Sequence, residues 1–484
     1  MPLPTNPSGS PFIIALIFID SIIDTELEKK NRTLLLSVCV AYVSWYAYRS
    51  HYTTTEPLKM PPSQYFGAGK SQKDNEAIVK FSIHVPDADL LDLQSRLERT
   101  RFFEPLDDAA FTYGANTKFL RKVHRYWLDE YNWRAQEVRL NAFDHYRTQI
   151  EGLNIHFMRV KPPASRYRYV YPLLLVHGWP GSVFEFYKII PMLTDPNKAF
   201  GSKSEIAFEV IAPSLPGYGW SEAASKKGLS TTETARMFKT LMSRLGHNTF
   251  YYQGGDWGSI VGNHMAVFYP KSVRGLHSNM PGSDMMTPMS TLKLIIGLFA
   301  PSLVHKPEDV GIKFPSMDKL KFVLAEMGYM YEQSTKPDTV GFALNDSPMG
   351  LASYILEKFS TWTMPKNIEL DDGGLEHYFT TDELLTNIMI YWTTGTIASS
   401  QRYYKEHWRQ PLLQQIASSQ IHVPTGFAAA IGEVMVMPRD FLAYKYTNIT
   451  RYTDLPRGGH FLALQEPKLL AMDVLAFVTE LNKH

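Results

Sequence analysis

The chain has 484 residues, enough for a large core with an added module. Its 49 Lys and Arg nearly cancel 48 Asp and Glu, leaving a formal charge of +1, so there is no electrostatic case for a nucleic-acid partner. One cysteine, Cys39, excludes an intramolecular disulfide framework, argues against a thiolate metal site and suits a body kept in a reducing compartment.

Residues 1–32 read as a leader whose short apolar run, Phe12 to Ile23, is interrupted by Asp20. The next stretch, "TLLLSVCVAYVSWYAYR" at 33–49, is expected to be a membrane anchor. It is uncharged through Tyr48, and Trp45, Tyr46 and Tyr48 gather at one end as an interfacial belt would. Its 16 uncharged residues fall just short of the usual span of about 17 to 25, which keeps a buried helix as the alternative. Basic residues flank it on both sides (Lys29, Lys30 and Arg32 before, Arg49 and Lys59 after), so they give no clear orientation. Sequons begin at Asn31, Asn345 and Asn448, and bear on the protein only where they face a lumen.

After a connector at about 56–74, "FSIHVPDADLLDLQSRLERTRF" repeats Leu90, Leu93 and Leu97 at helical spacing, with Asp87 or Asp89 as a cap. Aromatic-rich segments such as "FLRKVHRYWLDEYNW" continue to about residue 150. Residues 50–150 therefore read as a helical layer without chemistry of its own.

The periodicity then changes. "VYPLLLVHGWPGS", "FEVIAPSLPGYGWS" and "NTFYYQGGDWGS" are short apolar runs separated by helical patterns such as 231–245, which predicts an α/β fold with a parallel sheet. In the third run Phe250 to Gln253 reads as strand and "WGSIVGNHMAVFY" as helix. Gly254, Asp256 and Gly258 thus take the small-x-nucleophile-x-small spacing of a nucleophile elbow, with the Asp256 carboxylate near a helix N-terminus. An isolated Gly-x-Asp-x-Gly is more simply a helix N-cap. The rest of the chain overrides that reading.

Enzymes of this architecture order their residues nucleophile, acid, His. "RGGHFLALQEP" puts His460 on a Gly-rich loop before a C-terminal helix, "EPKLLAMDVLAFVTELN", as the general base. For the acid, "IHVPTGFAAAIGEVMV" supplies a strand at Ile421 to Pro424 followed by Glu433, while Asp440 and Asp454 compete on position alone. The loop His177-Gly178-Trp179-Pro180-Gly181 can offer the Trp179 backbone N–H which, with that of Trp257, would form an oxyanion hole; His177 itself reads as structural.

An aspartate decides the chemistry. With a reference pKa of about 3.9 it is already an anion at neutral pH and can displace a leaving group from an sp³ carbon, giving an alkyl-enzyme ester. His460 would then activate water against the ester carbonyl of Asp256. This excludes an ordinary serine esterase and leaves epoxide opening or dehalogenation.

The stretches "EGLNIHFMRVKPP", "HGWPGSVFEFYKIIP", "PSLPGYGWSEA", "GGDWGS", "GYMYEQSTKPDTVGFALNDSPMGLASYILEKFSTWT", "YWTTGTIASSQRYYKE" and "RGGHF" closely resemble the microsomal epoxide hydrolases and the related juvenile hormone epoxide hydrolases, over roughly residues 75 to 480. The first 30 or so residues depart from that pattern.

The resemblance implies an α/β-hydrolase core at 151–284 and 419–484, a helical lid at 285–418, an N-terminal wrapping segment at 50–150 and the anchor before it. It implies Asp256 as nucleophile, His460 as base, Glu433 rather than the other carboxylates as acid, and Tyr329 and Tyr404 as paired lid phenols beside Tyr331 and Tyr403. Such phenols would hydrogen-bond the epoxide oxygen and protonate it on opening.

The implied activity converts lipophilic epoxides, xenobiotic or endogenous, and water to vicinal diols without metal or organic cofactor. The implied location is the endoplasmic reticulum membrane, single-pass, with the catalytic body in the cytosol. A terpenoid-specific hormone epoxide hydrolase is the nearest alternative. A haloalkane dehalogenase would need indole or amide donors in place of the phenols, and a silent lipid-binding homologue would lack a catalytic group.

Overall fold

A computed structural model describes residues 58–163, 166–283, 288–304, 306–307 and 313–483. The leader 1–32, the segment 33–49, Cys39 and the Asn31 sequon lie outside the described residues. Among those described, no helix is long and apolar enough to cross a membrane.

Among the described residues nine strands form one sheet in the order β1-β2-β3-β5-β4-β6-β7-β8-β9. β1 (Val79–Phe81), β2 (His145–Ile150) and β3 (Leu153–Val160) run antiparallel, with β3 joined antiparallel to β5 (Ile206–Pro213). From β5 onward, β4 (Tyr169–Val176), β6 (Phe250–Gly254), β7 (Val273–Ser278), β8 (Thr425–Ala430) and β9 (Ile449–Leu455) are mutually parallel. The apolar runs read from the sequence are the strands β4, β5 and β6, of which β6 is buried along its whole length. Continuous burial suits a strand covered on both faces by helices such as Thr231–Arg244, Asp256–Phe268 and Pro467–Leu481. A capping box at Ser230 and Glu233 starts the first of these.

The N-terminal layer is only partly helical. Helices Asp87–Glu98, Thr117–Asp129 and Trp133–Leu140 are present, but β1 and β2 extend the sheet where only helix was expected. β2, "HYRTQI", mixes buried and half-buried positions and so offers no continuous apolar run to find. The β2–β3 hairpin turns on Glu151 and Gly152, whose φ values of 53° and 83° match a two-residue type I′ turn. Neither Asp87 nor Asp89 caps its helix: Pro86 occupies the N-cap, and both carboxylates lie in the first turn, where they complement the helix dipole.

The strand expected at Ile421 to Pro424 instead begins after Pro424, as β8. Proline has no N–H to give a ladder, and Ile421 makes only an isolated bridge to Tyr446. The small residues of β8 had hidden it. All six are buried, and a Cβ on Gly426 would stand 2.7 Å from the Phe477 ring.

Between β7 and β8 the chain makes a helical insertion that includes Met317–Glu326, Gly328–Thr335, Pro348–Thr361, Thr381–Thr394 and Ile397–Arg409. The N-terminal helices hold it through Tyr126 Oη to Asp382 (3.0 Å), Tyr131 Oη to Thr386 Oγ1 (3.1 Å) and Arg96 to Asp346 (2.7 Å).

A histidine pair is buried where the antiparallel layer meets the core. His145 Nδ1 is 2.8 Å from His156 Nε2; His145 Nε2 donates to the Leu140 carbonyl (2.9 Å), and His156 Nδ1 bonds Ser214 Oγ (2.9 Å). Burial lowers both pKa values, that of His156 well below the ordinary range. As the pH falls through about 6.5 the unfolded chain therefore takes up protons that the folded chain refuses, so stability is retained above that pH and lost below it. Chemical denaturation between pH 7 and 5 should show a smaller pH slope in the His145→Gln/His156→Gln protein than in the parent, by up to about two protons. Identical slopes would remove the pair from the acid response.

Candidate active site

The site sits at the carboxyl ends of the parallel strands, where α/β sheets open onto their ligands. At the end of β6 the chain turns into the helix Asp256–Phe268 without a loop. The crossing is tight: a Cβ on Gly254 would lie 2.6 Å from the Gly258 backbone, and one on Gly258 would collide with the Val176 carbonyl of β4. Asp256 itself has φ 48°, a left-handed conformation that a non-glycine residue holds only when its surroundings over-determine it.

The side chain is fixed from two sides. The Trp179 N–H, on the loop after β4, donates to Asp256 Oδ1 (2.7 Å). His460 Nε2, on the loop after β9, stands 3.4 Å from Oδ2. The Trp257 N–H belongs to the first helical turn, whose amides have no intrahelical carbonyl to bond.

Glu433, on the loop after β8, is fully buried, and its two oxygens accept from His460 Nδ1 at 2.9 and 3.1 Å. Asp440 and Asp454 lie elsewhere, in ion pairs with Lys293 (2.7 Å) and Lys313 (2.8 Å), and both are half-exposed or more. Burial by itself lowers the His460 pKa, but Glu433 and then Asp256 outweigh it and raise it well above the ordinary value. One imidazolium is therefore held between two carboxylates. His177 accepts the Leu215 N–H at Nε2 (3.1 Å), and burial depresses its pKa to about 4. It is a neutral loop anchor.

Above the carboxylate the insertion contributes rings. Tyr329 stacks on the Trp179 indole (centroids 5.1 Å, 4°), and Tyr404 meets Trp179 edge-on at 5.8 Å and Trp257 at 4.6 Å. The two phenol rings are 5.7 Å apart. Tyr404 Oη is buried and interacts with the Tyr329 hydroxyl. Burial raises both phenol pKa values well above 10, and the Asp256 charge adds to it. Their neighbours differ: Tyr403 Oη donates to Thr234 Oγ1 (2.8 Å) in the core, and Tyr331 is half-buried.

The structure thus brings Asp256, His460, Glu433, Trp179, Trp257, Tyr329 and Tyr404 together. It also adds residues that sequence reasoning missed. The Trp362 carbonyl accepts the His460 N–H (2.9 Å), and its indole lies 4.9 Å from the imidazole. Lys319 Nζ donates to the Glu433 carbonyl (2.8 Å), and Lys358 Nζ sits 5.0 Å over the Tyr329 ring. Trp362 and Lys358 fall inside the quoted "LEKFSTWT", but nothing in its pattern said which side chains face the cleft.

The arrangement presents a carboxylate that accepts a backbone N–H, an imidazole set between it and a second, buried carboxylate, and two buried phenol rings opposite. The sequence profile for the epoxide hydrolase N terminus matches residues 78–186, and that for the alpha/beta hydrolase fold matches residues 171–303. Epoxide hydrolase 1 of Oryctolagus cuniculus is 50% identical over 409 residues, covering 84% of this chain and 89% of that protein. The juvenile hormone epoxide hydrolase of Bombyx mori is 42% identical, covering 88% and 93%. The crystal structure of the silkworm enzyme superposes with a TM-score of 0.82 over 87% of this chain and 99% of that one. An epoxide hydrolase structure from Aspergillus niger, 27% identical, gives 0.66 over 86% and 98%. The chain belongs to the epoxide hydrolases, built on the α/β-hydrolase fold.

Proposed function

We propose that this epoxide hydrolase works in two covalent steps on Asp256. The observation that carries the reading is one carboxylate set between the Trp179 N–H and the His460–Glu433 pair beneath two phenols. In the first step Asp256 Oδ2 attacks a ring carbon, the C–O bond opens, and Tyr329 or Tyr404 gives its proton to the leaving oxygen. Burial makes a lasting phenolate costly, so the phenol must be refilled. The resting imidazolium supplies that proton, and the count closes.

Esterification removes the Asp256 charge. His460 then loses one of the two anions that hold its proton, so its pKa falls just when a base is needed. Water attacks the ester carbonyl carbon and one of its protons goes to His460. The oxyanion forms on Oδ1, where the Trp179 and Trp257 N–H groups stabilise it. Collapse expels the diol oxygen with the second water proton and restores both carboxylate and imidazolium.

We further propose lipophilic epoxides, xenobiotic or endogenous, as substrates, because the reacting carboxylate is walled by Trp179, Trp257, Tyr329 and Tyr404. The apolar stretch 33–49, with its terminal aromatics, supports attachment to a membrane of the endoplasmic reticulum type.

Asp256→Ala should lower turnover by more than about a thousandfold. His460→Gln should instead accumulate substrate as an ester on the Asp256 peptide, visible by mass spectrometry. A single turnover in ¹⁸O-water should give unlabelled diol and one ¹⁸O in that peptide; label in the diol would mean direct hydration and end the two-step reading. Tyr329→Phe and Tyr404→Phe should each slow ester formation roughly tenfold to a hundredfold and leave ester hydrolysis untouched, with the double variant slower than either. Removing residues 1–49 should shift the protein from the membrane pellet to the soluble fraction; unchanged pelleting would move the attachment elsewhere.

A further inference from the structure

One carboxyl group beside the nucleophile has no part in the scheme above. Glu185 lies in the short 3₁₀ turn Val183–Phe186 that follows the Trp179 loop. Its Oε1 fills the space where a Cβ on Gly181 would stand, so the glycine closing His-Gly-Trp-Pro-Gly admits the carboxyl group into the wall of the site. There it borders a cavity of about 20 Å³, together with Asp256, Asn279, His460 and the backbone of Gly178 and Gly255. That volume suits one water and no substrate, since a single water needs roughly 10–15 Å³ and two to four polar partners. The Asn279 amide oxygen accepts from Gln253 Nε2 (2.8 Å), which leaves its NH₂ as a donor at the cavity wall.

We propose that Glu185 is the positioning residue for the hydrolytic water, holding it in this cavity with Asn279 between the His460 imidazole and the Asp256 carboxyl group. This rests on the two-step reading. Burial pushes the Glu185 carboxyl up to about 8; His460 opposes the rise and the Asp256 charge adds to it. At neutral pH the group is therefore an uncharged acid with one donor and one acceptor, and does not compete with Asp256 for the His460 proton. During ester hydrolysis the water oxygen bonds the Asp256 carbonyl carbon, one water proton goes to His460 and the other leaves with the diol. Glu185 keeps its own proton throughout.

The test resolves the two steps by rapid quench on the full chain with a lipophilic epoxide, following ester on the Asp256 peptide and diol release. Glu185→Leu, which removes the polar partner but keeps the bulk, should form the ester at the parent rate and hydrolyse it roughly tenfold to a hundredfold more slowly, lowering kcat and KM together. Glu185→Gln, which keeps a donor and an acceptor, should stay within a few-fold of the parent in both steps. If the leucine protein does not fold, Glu185→Ala carries the same expectation. Parent-rate hydrolysis in the apolar variant, equal losses in both steps, or a glutamine protein as slow as the leucine one would each overturn the proposal. Ester detected in His460→Gln confines such a failure to Glu185, whereas no ester in any variant would bring down the two-step reading as well.

Discussion

The geometry of the whole site depends on one strained residue at a crossing with no spare room. Asp256 sits with φ 48° between β6 and its helix, and the neighbouring backbone is so close that Gly254 and Gly258 admit no side chain. Such a conformation costs on the order of 1–3 kcal/mol. It is tolerated because β6 and the carboxyl-terminal halves of β4 and β7 beside it are buried and cannot shift to relieve it. The return is directional. The carboxylate stands clear of the sheet, where the loops after β4, β8 and β9 can all reach it.

Electrostatics then follows from burial. A single imidazole between Glu433 and Asp256 is protonated in spite of its desolvation, because two anions in a low-dielectric site outweigh it. The same surroundings keep Tyr329 and Tyr404 neutral. A change of charge on Asp256 is therefore felt by every proton-carrying group around it.

The helical insertion covers this site and also fixes it. Lys319 and the Trp362 carbonyl hold the Glu433 and His460 loops, while Glu326 accepts from the Trp362 indole (3.1 Å) and anchors that ring. The N-terminal layer in turn grips the insertion through Tyr126, Tyr131 and Arg96. The segments that sequence alone credits with no chemistry are thus mechanically coupled to His460.

By itself the sequence determined the α/β class, the strand-to-helix turn at Asp256, the loop of His460 and the loop that carries Trp179. These are local features, in which strand, turn and helix succeed one another within a few residues and the glycines mark where the backbone must bend or approach. Only the tertiary structure decided the rest. Glu433, Asp440 and Asp454 are alike as letters, and burial against His460 separates the first from two surface ion pairs. Tyr404 and Tyr403 are adjacent on one helix, and the rotation of that helix sends one ring to the cleft and the other to Thr234. Strands β1 and β2 escaped notice, and β8 was expected four residues too early, because their pairing and burial come from partners distant in sequence, and no local pattern encodes those. Glu185 is the same case, its environment set by Gly181, Asn279 and His460, which meet only when the sheet has formed.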